Sequence, residues 1–171
     1  AKLKEEYGEE RAQAIFESLL VRNKASIRVT DLSQKEEIQA LLEASASSLS
    51  PSGLVKEQGH FAGHDLFADG AITIQDESSQ LVAPTLDLQG DEQVLDACAA
   101  PGGKTAHIAS YLTTGRVTAL DLYDHKLSLI QENAQRLGVA NRIQTQKLDA
   151  RKVHEFFGQD SFDKILVDAP C

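Results

Sequence analysis

"VLDACAAPGGKT", residues 94–105, ends in the Gly-Gly-Lys-Thr that usually announces a nucleotide phosphate, and it joins an apolar run to a helical one. A phosphate-binding P-loop needs a glycine, four residues and then Gly-Lys-Ser/Thr, because the first glycine lets the backbone curl its N–H groups around the phosphate. Counting back five positions from Gly103 reaches Cys98, so that glycine is missing. Pro101 also removes one of the donors such a nest would use. The dinucleotide signature Gly-x-Gly-x-x-Gly is absent too. What remains is Pro101-Gly102-Gly103 at the start of a helix, where a ligand can come close to the backbone.

Outward from this loop the rhythm is regular. Gln93–Asp96, Arg116–Asp121 and residues 142–145 and 163–168 read as strands, with helical patterns between them. The clearest helix runs from Asp124, expected as its N-cap, through Leu127, Ile130, Ala134 and Leu137 to a stop at Gly138. Alternation of this kind predicts right-handed βαβ units and a parallel, Rossmann-like α/β sheet. Ligands of such sheets sit beyond the carboxyl ends of the strands, where strand order reverses. Asp96, Asp121 and Asp168 fall at those ends, and Asp149 follows the third strand, which predicts four carboxylates on one rim. Asp121 stands where a carboxylate can accept hydrogen bonds from ribose hydroxyls. The pattern suits a nucleoside without a phosphate chain, and S-adenosylmethionine is such a ligand.

Upstream, residues 1–74 read as a small α+β module, and residues 75–171 as the first part of the sheet domain. The module has a helix with apolar positions at Ala12, Ile15, Phe16 and Leu19, and a short alternating strand at 26–30. Ser33 and Glu36 are spaced as a capping box ahead of Ile38, Leu41 and Leu42. The Ser-Leu-Ser-Pro-Ser-Gly stretch ending at Gly53 breaks the pattern, and a weaker strand follows at 71–74.

Composition excludes several classes. With 171 residues and 42% apolar content the chain can bury a core, and no apolar run approaches the ~20 residues of a spanning helix. Two cysteines, Cys98 and Cys171, form neither a disulfide framework nor a Cys-x-x-Cys pair, which fits a reducing cytoplasm. The chain holds no methionine, so it is expected to lack its natural start. A net charge of −9 argues against a general electrostatic grip on nucleic acid. Local basic runs remain at Arg22, Lys24 and Arg28 and over residues 136–152. His60 and His64 have a helical metal spacing but no third ligand nearby, and no metal is expected.

"VLDACAAPGGKT", "DAR" at 149–151 and "ILVDAPC" at 165–171 together resemble the motifs of RNA cytosine carbon-5 methyltransferases of the Sun/Fmu type, which act on small-subunit ribosomal RNA. "ITIQDESSQL" at 72–81 is similar to the segment before the catalytic domain of that family, and "NKASIRV" at 23–29 to its RNA-facing module. The resemblance implies a partial Rossmann-like methyltransferase sheet using S-adenosylmethionine and an RNA partner. It implies that Cys98, Ala99, Ala100, Pro101, Gly102, Gly103 and Lys104 line the cofactor. Asp121 would then hold the ribose, Asp149 lie by the adenine, and Asp168 sit between cofactor and target base. Asp96 is left as a supporting candidate.

Carbon 5 of cytosine is a poor nucleophile, so a thiolate must first add to carbon 6. Taken alone, Cys171 in Pro-Cys would be that thiol. The resemblance implies instead that a cysteine on a later strand attacks and Cys171 assists product release. On this reading the chain is a fragment without its nucleophile, inactive by itself, with an open edge at its fourth strand. Two other classes compete: a P-loop-like NTPase, weakened by Cys98, and a non-catalytic RNA-binding remnant.

Overall fold

The computed structural model describes residues 2–20 and 24–169 of the chain. Two helices open it, α1 (Lys2–Tyr7) and α2 (Glu9–Leu20). The helix read from the apolar positions of α2 is present; of those positions only Ala12 is buried, while Phe16 and Leu19 stay exposed.

The first sheet is antiparallel. It joins β1 (Ala25–Val29), β2 (Ser45–Ala46), β3 (Gly53–Lys56) and β4 (Ile72–Ile74) in the order β2-β3-β1-β4, with α3 (Lys35–Leu42) and α4 (Asp65–Ala68) in the connections. Alternate residues of a strand face opposite sides. Ile27 and Val29 therefore pack with Ile38, Leu42, Leu54, Phe61 and Ile72, while Arg28 turns to the other face, also buried. The expected capping box does not form. Asp31 caps instead, accepting from Ser33 N at 2.9 Å and Ser33 Oγ at 2.8 Å, so a 3-10 turn fills residues 32–34 before α3 begins. Strands β2 and β3, not anticipated from the sequence, flank the stretch at 48–53 that breaks the pattern.

Two short helices, α5 (Glu77–Gln80) and α6 (Val82–Thr85), lead into the second sheet. There β5 (Gln93–Asp96), α7 (Gly103–Tyr111), β6 (Arg116–Asp121), α8 (Asp124–Arg136), β7 (Ile143–Lys147), α9 (Val153–Phe157) and β8 (Lys164–Leu166) alternate as anticipated. All pairings are parallel and the order is β7-β6-β5-β8. Strand order therefore reverses between β5 and β8, the crevice in which open α/β sheets bind ligands. Val94 and Leu95, adjacent in β5, are both buried, the mark of a strand covered on two faces. On β8, Ile165 remains exposed. Tyr123, not Asp124, takes the N-cap position of α8, and Asp124 sits in the first turn, where it pairs with Lys147. Gly138 ends α8 in the left-handed conformation, φ +72°, with Val139 N donating to Ala134 O at 2.9 Å.

The sheets meet along α8. Arg136 Nη1 donates to Phe67 O at 2.7 Å and Ile72 O at 3.2 Å, and Nη2 to Asn133 Oδ1 at 2.7 Å and Thr73 Oγ1 at 3.3 Å. Its guanidinium also lies 3.9 Å from the centroid of the Phe67 ring. Facing it, Gly70 brings its backbone so close that a Cβ would stand 2.0 Å from Arg136 O. A second seam joins β1 to the chain after β4: Ser26 Oγ donates to Gln75 O at 3.0 Å, and Gln80 Nε2 donates to the same carbonyl at 2.9 Å.

Candidate functional site

The loop of residues 97–102 is strung between strands. Ala97 N donates to Leu166 O at 3.0 Å and Ala99 N to Leu120 O at 2.9 Å, so β8 and β6 hold it from either side. Asp96 ends β5 with 1% of its surface exposed, and its Oδ2 accepts from Thr105 Oγ at 2.7 Å in the first turn of α7. That bond ties strand end to helix start, which makes Asp96 an anchor of the loop. Burial, countered by Thr105, raises its pKa.

A cleft of about 260 Å³ opens above the β5/β8 crevice. From the loop side Asp96, Cys98, Ala99, Ala100, Pro101, Gly103 and Lys104 line it, and Asp168 closes it from beyond β8. Lys104 Nζ bridges to Asp168 Oδ2 at 2.6 Å across the mouth. The remaining wall comes from Ile74, Gln75, Asp76 and Ser79, at the end of the first sheet and in α5. These four were not singled out by sequence reasoning as site residues. The signal available was the polar "QDESSQ" run directly after a strand, which needs a partner surface. At Gly103 an added Cβ would meet nothing closer than Gln75 Nε2 at 4.0 Å, so open space lies over the start of α7.

Three expected lining residues stand apart. Gly102 is left-handed, φ +100°, but an added Cβ would meet Ile130 Cα at 3.0 Å. Its small size thus serves packing against α8, and the cleft is lined by its neighbours instead. Asp121 lies one strand away, where its Oδ1 accepts from Tyr123 N at 3.2 Å and its Oδ2 stands 3.9 Å from Lys126 Nζ. Asp149 is turned to its own neighbour. It caps the turn at 150–152 through Arg151 N, and Arg151 Nη2 reaches its Oδ2 at 2.6 Å, contacts that hold its pKa down to about 2. The four carboxylates stand, as expected, at the carboxyl ends of the parallel strands, but only Asp96 and Asp168 line the cleft; Asp121 is one strand away and Asp149 is engaged with Arg151. Cys171 lies outside the described residues.

Cys98 faces the cleft, half-buried. Burial first, then the carboxylates of Asp96, Asp121 and Asp168, push its pKa up. It is therefore a thiol at neutral pH, a poor nucleophile but a compact, neutral wall. His64 needs no metal to occupy its ring, since Nδ1 accepts from Leu66 N at 3.1 Å and caps α4.

Residues 83–171 match the family model described as 16S rRNA methyltransferase RsmB/F. "Probable ribosomal RNA small subunit methyltransferase B" of Bacillus subtilis (strain 168) is 44% identical over 172 residues; the match takes in 96% of this chain and 38% of that protein. The chain thus spans well under half the length of this relative. A methyltransferase homolog protein from Pyrococcus horikoshii has a TM-score of 0.83 at 30% identity, over 96% of this chain and 56% of that one. NSun6 from Pyrococcus horikoshii, solved with SFG, has a TM-score of 0.87 over 99% of this chain and 69% of its own; at 22% identity it supports the fold alone.

Proposed function

The chain belongs to the 16S rRNA methyltransferase RsmB/F family, and from that premise we propose that its cleft binds S-adenosylmethionine for methylation of cytosine carbon 5 in small-subunit ribosomal RNA, in the cytoplasm. The observation that carries this reading is the β5/β8 crevice with the Cys98 loop on one side and Asp168 on the other. The residues present fit such a ligand. Asp96 and Asp168 favour a cationic sulfonium over a phosphate chain, and the open N-terminus of α7 offers unpaired backbone donors to an acceptor. Asp121, one strand end away, is at the place where ribose hydroxyls are taken in sheets of this kind.

The cofactor supplies an electrophilic methyl group; the protein must supply geometry and a thiolate. Cys98 does not suit that second task, because its surroundings disfavour the charged form. Ring attack by a further cysteine and product release by Cys171 are what the resemblance to the family implies, and the reading adopts both roles. Asp168, paired with Lys104 at the cleft mouth, is assigned on this reading to contact the target base.

Calorimetric titration of the chain with S-adenosylhomocysteine, and separately with ATP and magnesium, tests the proposal. Saturable binding of the first alone is expected. Binding of ATP without S-adenosylhomocysteine would overturn it in favour of a nucleotide hydrolase, and binding of neither in favour of a non-catalytic role.

A further inference from the structure

We propose that Arg28 is a positioning residue for the cleft, fixing the Gln75 side-chain amide so that its NH2 group is presented as a donor beside the N-terminus of α7. The inference rests on the cofactor reading above and extends it to a residue in the middle of the first sheet.

Arg28 is 2% exposed. Among the described residues no carboxylate pairs with it; its Nε donates to Gln75 Oε1 at 2.8 Å. A guanidinium carries donors only, so the amide oxygen of Gln75 has to face it and the amide nitrogen has to face away. That nitrogen lies 3.4 Å from Ser79 O and is the nearest atom to the space over Gly103. Ser79 and Gly103 both line the cleft. An amide nitrogen has two hydrogens, and one long contact to Ser79 leaves donor capacity for a ligand.

The surrounding charges say where an acceptor would settle. Asp76, Asp96 and Asp168 repel an anionic oxygen from the rest of the lining. The corner made by Gln75 Nε2 and the first turn of α7 attracts one, helped by the buried guanidinium behind it. Without Arg28 the amide could turn over and present its oxygen to the same corner, a reversal from attraction to repulsion.

Binding of S-adenosylhomocysteine by calorimetry, with melting temperature recorded for each variant, tests this. Arg28→Met and Gln75→Leu are each expected to weaken binding by about tenfold, the scale of one hydrogen bond to a charged group. The double variant should bind no worse than the weaker single, since both changes remove one donor. Gln75→Glu keeps an acceptor for Arg28 but offers no donor to the cleft. Its melting temperature should match or exceed that of the parent while its affinity falls, a split that a purely structural role would not produce. Should Arg28→Met fail to fold, Gln75→Glu still decides. Parent-like affinity in either Gln75 variant, or losses that multiply in the double, overturns the positioning role alone. A parent that does not bind S-adenosylhomocysteine sinks the cofactor reading and this proposal with it.

Discussion

Replacing Arg136 by methionine keeps most of the apolar stem on α8 and deletes the fork that grips the first sheet. Two of its bonds are short, both at 2.7 Å: the one to Phe67 O crosses from α8, and the one to Asn133 Oδ1 stays within α8 and holds the fork in place; the other two, at 3.2 and 3.3 Å, contribute less. Hydrogen bonds to a charged group contribute about 1.5 kcal/mol each at a partly exposed site, so the short pair accounts for about 3 kcal/mol. Stacking on Phe67 adds about 0.5 kcal/mol. Water can reach the freed acceptors, because Arg136 is only half-buried, and Phe67 O keeps a bond from Gly70 N at 3.1 Å. The expected loss is therefore about 2–3 kcal/mol, measured by urea denaturation followed by circular dichroism. Arg136→Lys should recover less than half of it, because an ammonium cannot reproduce a planar fork with acceptors on both sides. A loss below about 1 kcal/mol for Met, or full recovery with Lys, would refute the view that this side chain fastens the two sheets.

Three further outcomes are expected. Gly102→Ala should lower stability by about 1–3 kcal/mol in denaturation, with ligand or without, since the strain is against Ile130 and in a left-handed backbone; unchanged stability would return Gly102 to the cleft. His107 is buried, with burial and then Arg28 pushing its pKa down to about 3, so it stays neutral in the fold and charges only on unfolding. Its contribution is complete above about pH 6.5 and fades as pH falls toward 3: the stability gap between the parent and His107→Gln should narrow by about 1.5 kcal/mol from pH 6.5 to 5, and a constant gap would count against it. In the complete enzyme, Cys171→Ala should accumulate a covalent protein–RNA adduct on denaturing gels; no adduct together with no methylation would make Cys171 the nucleophile.

The second sheet was legible because its central strands, β5 and β6, are contiguous apolar runs. Val94-Leu95 and Val117 through Leu120 are buried with hardly an interruption, a signal that survives without tertiary knowledge. Strands β2 and β3 were not legible, since two and four residues on either side of a Ser/Pro/Gly stretch carry no periodicity to read. The loop side of the cleft was visible for the same reason of contiguity, residues 98–104 being adjacent in sequence. Gln75 and Ser79 reach Gly103 only because the first sheet folds back on α7, a fact of packing. Gly102 shows the limit of a local rule: a glycine at a helix start is needed either for a ligand or for a neighbouring helix, and only the position of Ile130 decides. The pairing of Asp149 was missed because a basic residue two positions on, Arg151, was weighed as a surface charge and not as a partner.

One wall of the cleft is the continuation of β4, and β4 is bonded to β1 on one side and gripped from α8 on the other. A ligand seated there acts as mortar between two courses of masonry. By mass action its binding free energy adds to whatever holds the sheets together. The influence runs in reverse with equal strength: any force that pries the first sheet loose must also loosen the ligand. The fold thus makes the hold on the ligand a gauge of how firmly the first sheet is seated.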